Sequence, residues 1–224
     1  MQSGETNMPT AAIIGASRGI GLGLVERYAS EGWRVHATTR TPDRPGALGE
    51  IPGDVHIHGL EVTDRDEQRA LRNALAGEAV DVLIHNAGVY GRGMRAATVN
   101  RINTEAPIEV AEKLMAAVLR SEQRKIALIT SMMGARRGST RSLGKYGDSK
   151  SALNDRFREL AENWRERGCL AVVIHPGWVR TDMGGRNAAI SVEESARGIY
   201  DLMASLDESG HGRFWTWEGR EHPW

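Results

Sequence analysis

A tyrosine and a lysine four residues apart, in Tyr146-Gly-Asp-Ser-Lys150, carry the most pointed chemistry in this chain. On a helix that spacing puts both side chains on one face, a turn apart. A free phenol has a pKa of about 10, too high for easy proton exchange at neutral pH. A neighbouring ammonium favours the phenolate and pulls that value down. Tyr146 can then give a proton to a carbonyl oxygen, or take one from an alcohol. Lysine is scarce here: only Lys113, Lys125, Lys145 and Lys150 occur among 29 basic residues, so a well-placed one is informative. Taken alone, Tyr-x-x-x-Lys is a weak pattern.

Fifteen residues earlier, Ile129-Thr-Ser131 closes an apolar run, which puts the Ser131 hydroxyl where it can bond a substrate oxygen and steady developing charge. Upstream, Asn103 interrupts the helix-period stretch Ile102, Ala106, Val110, Leu114. Pro107 has no N–H, so the Asn103 carbonyl loses its usual helical partner and can hold a water that links Lys150 to solvent. Alternatively, Asn103 caps a first turn and Pro107 starts or kinks the helix. Local sequence leaves both open.

Near the N-terminus, Gly15-Ala-Ser-Arg-Gly19-Ile-Gly21 leaves one apolar run and enters a helical one. Glycines let backbone turn sharply and approach a pyrophosphate, and the helix start then offers unpaired N–H groups. The spacing is Gly-x-x-x-Gly-x-Gly, not the general dinucleotide fingerprint. About 20 residues on, where a carboxylate usually selects NAD, the chain reads His36-Ala-Thr-Thr-Arg40. Arg40, with Arg18 in the glycine loop, suits a 2′-phosphate, so NADP(H) is favoured over NAD(H).

Such groups must be held by a regular scaffold, and the chain supplies one. Apolar, β-branched runs at Ala11–Ile14, Arg34–Thr38, Val55–Gly59, Val80–His85, Lys125–Thr130, Leu170–His175 and Arg213–Trp217 alternate with helix-period segments. Ile20, Leu24, Val25 and Tyr28 make one apolar stripe, with Gly32 as a stop, and Leu153, Phe157, Leu160 and Trp164 make another. Alternation of this kind predicts an α/β fold: a single doubly wound Rossmann-type domain over residues 10–224, with about seven parallel strands flanked by helices. Residues 1–9 read as a flexible tail.

Composition excludes several function classes. Formal net charge is zero with no basic block, so nucleic acid is not an expected partner. No apolar run is long enough for a membrane span, and Met1–Pro9 lacks the features of a secretion signal. Cys169 is the only cysteine and no Cys/His cluster has zinc spacing, so neither a disulfide nor a metal is expected. The expectation is a cytoplasmic enzyme acting on a small-molecule carbonyl or alcohol, with a homodimer as the default assembly.

These motifs, in this order, resemble the short-chain dehydrogenase/reductase superfamily over nearly the whole chain. Leu83-Ile-His85-Asn86-Ala87-Gly88, Leu60-Glu61-Val62-Thr-Asp64 and His175-Pro176-Gly177-Trp-Val179-Arg-Thr181 are similar to further family segments. The form His-Pro-Gly-Trp-Val and the tryptophan-rich ending resemble the C-factor/sniffer-like branch, whose members are NADPH-dependent carbonyl reductases or developmental signals. The resemblance implies a catalytic tetrad of Asn103, Ser131, Tyr146 and Lys150. It implies cofactor contacts from Gly15, Ser17, Arg18, Gly19, Ile20 and Gly21 in the loop. Further contacts are implied from Arg40, Glu61 and Val62, from Asn86, Ala87 and Gly88, from Tyr146 and Lys150, and from Pro176, Gly177, Val179 and Thr181.

Departures from the family pattern are Ile14 for threonine, His85 for asparagine and Glu61 for aspartate. The short Asn86–Asn103 interval implies a trimmed helix, and the short stretch 182–190 an open pocket or one completed by a partner subunit. Met132, Met133, Trp178 and Met183 fall beside the active centre and can line an apolar pocket. His175 reads as structural, and Trp215, Trp217 and Trp224 as cover for the sheet edge or a subunit contact. Two other functions stay in view: an NADP(H)-holding sensor or signalling protein with little turnover, and an NAD-linked alcohol dehydrogenase.

Overall fold

The computed structural model describes residues 8–136 and 144–224. Of the expected tail, residues 1–7 lie outside that range. Seven strands form one parallel sheet: β1 (Thr10–Ile14), β2 (Arg34–Thr39), β3 (Val55–Gly59), β4 (Val82–His85), β5 (Lys125–Ile129), β6 (Leu170–His175) and β7 (Phe214–Thr216). Their order is β3-β2-β1-β4-β5-β6-β7, so the chain reverses its direction of travel between β1 and β4. That reversal opens a crevice at the carboxyl ends of the strands, where ligands of such sheets bind.

Helices cover both faces. The first is α1 (Gly19–Ser30), followed by α2 (Arg65–Ala74), α3 (Ala96–Asn100), α4 (Ala106–Val118), α5 (Gly144–Glu166) and α6 (Val192–Ser205). Strand alternation sorts the core into two layers. Ala12, Ile14, Leu83, Ile126 and Leu128 face Leu71, Leu114, Phe157 and Trp164 of α2, α4 and α5. Ala11, Ile13, Ile84, Ala127 and Val172 face Leu24, Tyr28, Ile199 and Leu202 of α1 and α6. A strand buried on both sides has to be apolar throughout, which is why these runs read as continuous.

β4 begins two residues later than its apolar run, because the Val80 N–H is taken by the Ala117 carbonyl of α4 (3.0 Å). β7 is likewise shorter than expected, although the Trp217 N–H still donates to the His175 carbonyl of β6 (2.8 Å). Trp215 and Trp217 pack into the α1/α6 layer, while Trp224 lies against Phe157 and Phe214 in the other, so the tryptophans cover the β7 edge from both sides. The helix expected to be trimmed, α3, has only five residues. Among the described residues no helix is long and apolar enough to cross a membrane.

Candidate active site

The crevice is a cleft of about 880 Å³ beyond the carboxyl ends of the strands. Of the residues expected to hold a cofactor, all but Gly21 line it. Gly15 makes the sharp turn out of β1, at φ +83°, and a Cβ there would sit 2.7 Å from Ala87. The Gly15 N–H donates to Thr38 Oγ1 (2.9 Å), and Asn86 Nδ2 donates to the Gly15 carbonyl (2.8 Å). Asn86 and Ala87 N–H groups both donate to the Ile14 carbonyl. The loop is therefore clamped from β2 and from β4. Gly21 sits behind it, where a Cβ would collide with the Gly15 carbonyl and the Asn86 amide. Its role is packing, not lining.

This cradle fits a dinucleotide phosphate. The first turn of α1 holds no acidic residue and its N-cap Arg18 makes no side-chain cap, so the partial positive charge of the helix start faces the cleft uncompensated. Two exposed guanidiniums stand at this end, each in an ion pair. Arg18 meets Asp182 at 3.3 Å, across the cleft, and Arg40 meets Glu61 at 3.9 Å. Exposed pairs of this kind are weak and yield to a phosphate dianion.

At the other end the catalytic candidates converge. Ser131 lies two residues beyond β5 and its hydroxyl accepts the Met133 N–H (3.1 Å). Tyr146 lies in the first turn of α5 and lines the same end of the cleft as Ser131. Lys150, one turn on, is buried and donates to the Ile129 carbonyl (2.8 Å). Burial pushes the Tyr146 phenol above its ordinary value; the Ser131 hydroxyl lowers it and Tyr90 raises it. The expected lowering by Lys150 is thus corrected: desolvation dominates the phenol, and the ammonium is aimed at a backbone carbonyl. Burial instead holds Lys150 down at about 8.

Asn103 stands behind the wall, fully buried in a single wide turn, Arg101–Glu105, where the Ala106 N–H reaches five residues back to Arg101. Its side chain does the visible work. Oδ1 accepts the Val89 N–H and Nδ2 donates to the Val89 carbonyl, both at 2.8 Å. Nδ2 also donates to Ser149 Oγ (3.0 Å), which donates to the Tyr146 carbonyl (2.7 Å). Asn103 thereby ties the loop after β4 to the first turn of α5. Neither reading of Asn103 from local sequence contains this link.

Sequence reasoning missed Thr38 and Ser149. Ser149 lies inside the Tyr–Lys motif, which was a usable signal; Thr38 carries none. The Tyr90 ring stacks on that of Tyr146 (5.1 Å, 24°). Met132, Met133, Trp178 and Met183 all line the cleft and are exposed. His175 also lines it, with burial holding its imidazole neutral at about 4.

A family model described as short chain dehydrogenase matches residues 9–190. Among curated proteins, C-signal of Myxococcus xanthus is 34% identical over 165 residues, covering 70% of this chain and 99% of that protein. The NADPH-bound carbonyl reductase from chicken fatty liver superposes with a TM-score of 0.85 at 29% identity, over 97% of this chain and 100% of that one. Carbonyl reductase Sniffer of D. melanogaster gives 0.86 at 26% identity with the same coverage. The phosphate cradle and the Ser–Tyr–Lys cluster therefore sit on a chain that belongs to the short-chain dehydrogenase family, an oxidoreductase of the branch that includes C-signal and Sniffer.

Proposed function

We propose that this protein reduces an aldehyde or ketone to the alcohol at the expense of NADPH, with Tyr146 as the general acid. The observation that carries this reading is the placement of Ser131, Tyr146 and Lys150 together at one end of a cleft whose other end is a phosphate cradle flanked by Arg18 and Arg40. The glycine loop, Arg18 and Arg40 would hold the nucleotide, whose dihydronicotinamide would supply the hydride for the carbonyl carbon. Tyr146, kept protonated by burial, donates a proton to the carbonyl oxygen. Ser131 donates a hydrogen bond to that same oxygen and steadies its developing charge. Lys150, at about 8, exchanges protons close to neutrality and is the group able to restore the phenol. Asn103 and Ser149 are positioning residues that fix the Tyr146 turn against the Val89 loop.

NADP(H) is favoured because both cations at the cradle's end can turn from weak carboxylate pairs to a 2′-phosphate. The test is NADPH oxidation with a panel of aldehydes and diketones. Tyr146→Phe is expected to lose about 10²–10⁴-fold in kcat while NADPH still binds, since only the proton donor is removed. Wild-type turnover no greater than that of Tyr146→Phe would sink the reading and favour a protein that holds the nucleotide without using it.

A further inference from the structure

Four arginines line the cleft, and three of them have carboxylate partners: Arg18 with Asp182, Arg40 with Glu61, and Arg180 with Glu194. Arg92 is the fourth. Among the described residues it has no carboxylate partner, and its guanidinium lies over the Tyr90 ring, 5.5 Å from the centroid. Tyr90 in turn stacks on Tyr146. The Tyr90 ring thus links this charge to the ring of the proton donor, at the catalytic end of the cleft.

The loop that carries Arg92 is held in shape. The Met94 N–H closes a turn on the Gly91 carbonyl (3.1 Å), and Gly93, third in that turn, has φ +72°, as a type II turn requires. A Cβ on Gly91 would collide with Val99 of α3 (2.4 Å), so the turn is seated on the helix behind it. Lys145 Nζ donates to the Met94 carbonyl (2.8 Å), tying the far side of the loop to α5 just before Tyr146. The backbone that carries this cation is fixed on one side to α3 and on the other to α5, so the root of the side chain is pre-positioned at the cleft.

The surroundings define the rest of the ligand. Met132, Met133, Trp178, Met183 and Tyr90 account for most of the exposed large apolar side chains in the described residues, and all line this cleft. Thioether and indole surfaces suit a flat or bulky apolar body and adapt to its shape.

We propose that the preferred substrates are apolar carbonyl compounds that also bear a carboxylate, such as aryl keto acids, and that Arg92 receives that carboxylate while Tyr146 serves the carbonyl oxygen. This rests on the carbonyl-reductase reading above. A guanidinium–carboxylate contact selects the acid over a neutral analogue of the same shape.

The test compares 5-oxo-5-phenylpentanoate with its methyl ester, in wild type and in Arg92→Gln, Arg92→Lys and Arg92→Glu. Wild type is expected to favour the acid by about tenfold in kcat/KM, mainly through KM, with that preference shrinking as salt rises. The acid-to-ester ratio is expected to collapse in Arg92→Gln, recover in part in Arg92→Lys and invert in Arg92→Glu. A wild-type ratio near one, or a ratio that Arg92→Gln leaves unchanged, overturns the proposal. Calorimetric titration of the acid against the NADP(H)-loaded protein reads the same contact without turnover, with saturable binding in wild type and its weakening in Arg92→Gln expected. Turnover of neither compound together with intact Arg92-dependent binding would fault the catalytic reading and spare the anion site.

Discussion

At the scale of single residues, the charge proposed to meet the adenosine ribose is the most exposed to test. Arg40 and Glu61 face each other at 3.9 Å at the mouth of the cradle, so one position offers a guanidinium to a phosphate and its neighbour a carboxylate to a ribose hydroxyl. Arg40→Asp leaves two carboxylates there and removes a charge-assisted contact worth about 1.5–3 kcal/mol. The expected outcome is a fall of about 10- to 100-fold in kcat/KM with NADPH relative to NADH. An unchanged ratio of the two nucleotides would show that Arg40 does not choose between them. Residues of this kind were legible in the sequence because their chemistry is local: Tyr146, Lys150, Ser131 and the glycine loop are each recognisable within a few positions. The direction of the Tyr146 shift was not legible, since it depends on how deeply the folded cleft buries the phenol. Asn103 was read through its carbonyl, whereas its side chain, bonded 14 residues back to Val89, is what the fold uses.

Elements were legible to the extent that burial on two faces forces an apolar run. All seven strands fall on the runs read from sequence, and β3, at the sheet edge, keeps its place despite two histidines. The limits of elements depend on partners far along the chain, and α6 shows how. Its last turn contains no basic residue to meet its free carbonyls. Lys125, at the start of β5, supplies that charge instead: Nζ donates to the carbonyls of Met203 (2.7 Å) and Ala204 (3.1 Å) from 78 and 79 residues away. Of the four lysines, three thus bond backbone carbonyls. A compact ammonium at a helix C-terminus satisfies orphan acceptors and the helix dipole together. Lys125→Met keeps the buried stem and removes both bonds, at an expected cost of about 1–3 kcal/mol. Thermal unfolding several degrees lower, with faster amide exchange in the final turn of α6 than in α1, is the expected result. A wild-type midpoint and exchange pattern would mean that water serves those carbonyls equally well.

For the whole molecule, the consequence of burying histidines in and beside the sheet is a stability that depends on pH well above the carboxylate range. His36 on β2 is held at about 4 by burial and by His58, whose Nε2 lies 2.9 Å from His36 Nδ1. His85 on β4, where the family pattern has asparagine, is held at about 3 by burial and by the Lys150 ammonium. His175 on β6 is held at about 4, again by burial first. An unfolded chain protonates each near pH 6.5 while the folded chain does not, so the unfolded state binds more protons between that value and the folded one. Stability is therefore complete above about pH 6.5 and falls as pH drops, until His36 and His175 protonate at about 4 and His85 at about 3. At pH 5, His85 alone accounts for a loss of about 2 kcal/mol relative to pH 7. His85→Asn removes that titration, so the difference in urea-unfolding free energy between pH 7 and pH 5 is expected to shrink by about that amount. The comparison is a difference of differences, so any constant gain or loss from the substitution itself cancels. An equal drop between pH 7 and pH 5 in wild type and His85→Asn would mean that burial does not depress the His85 imidazole in the folded protein.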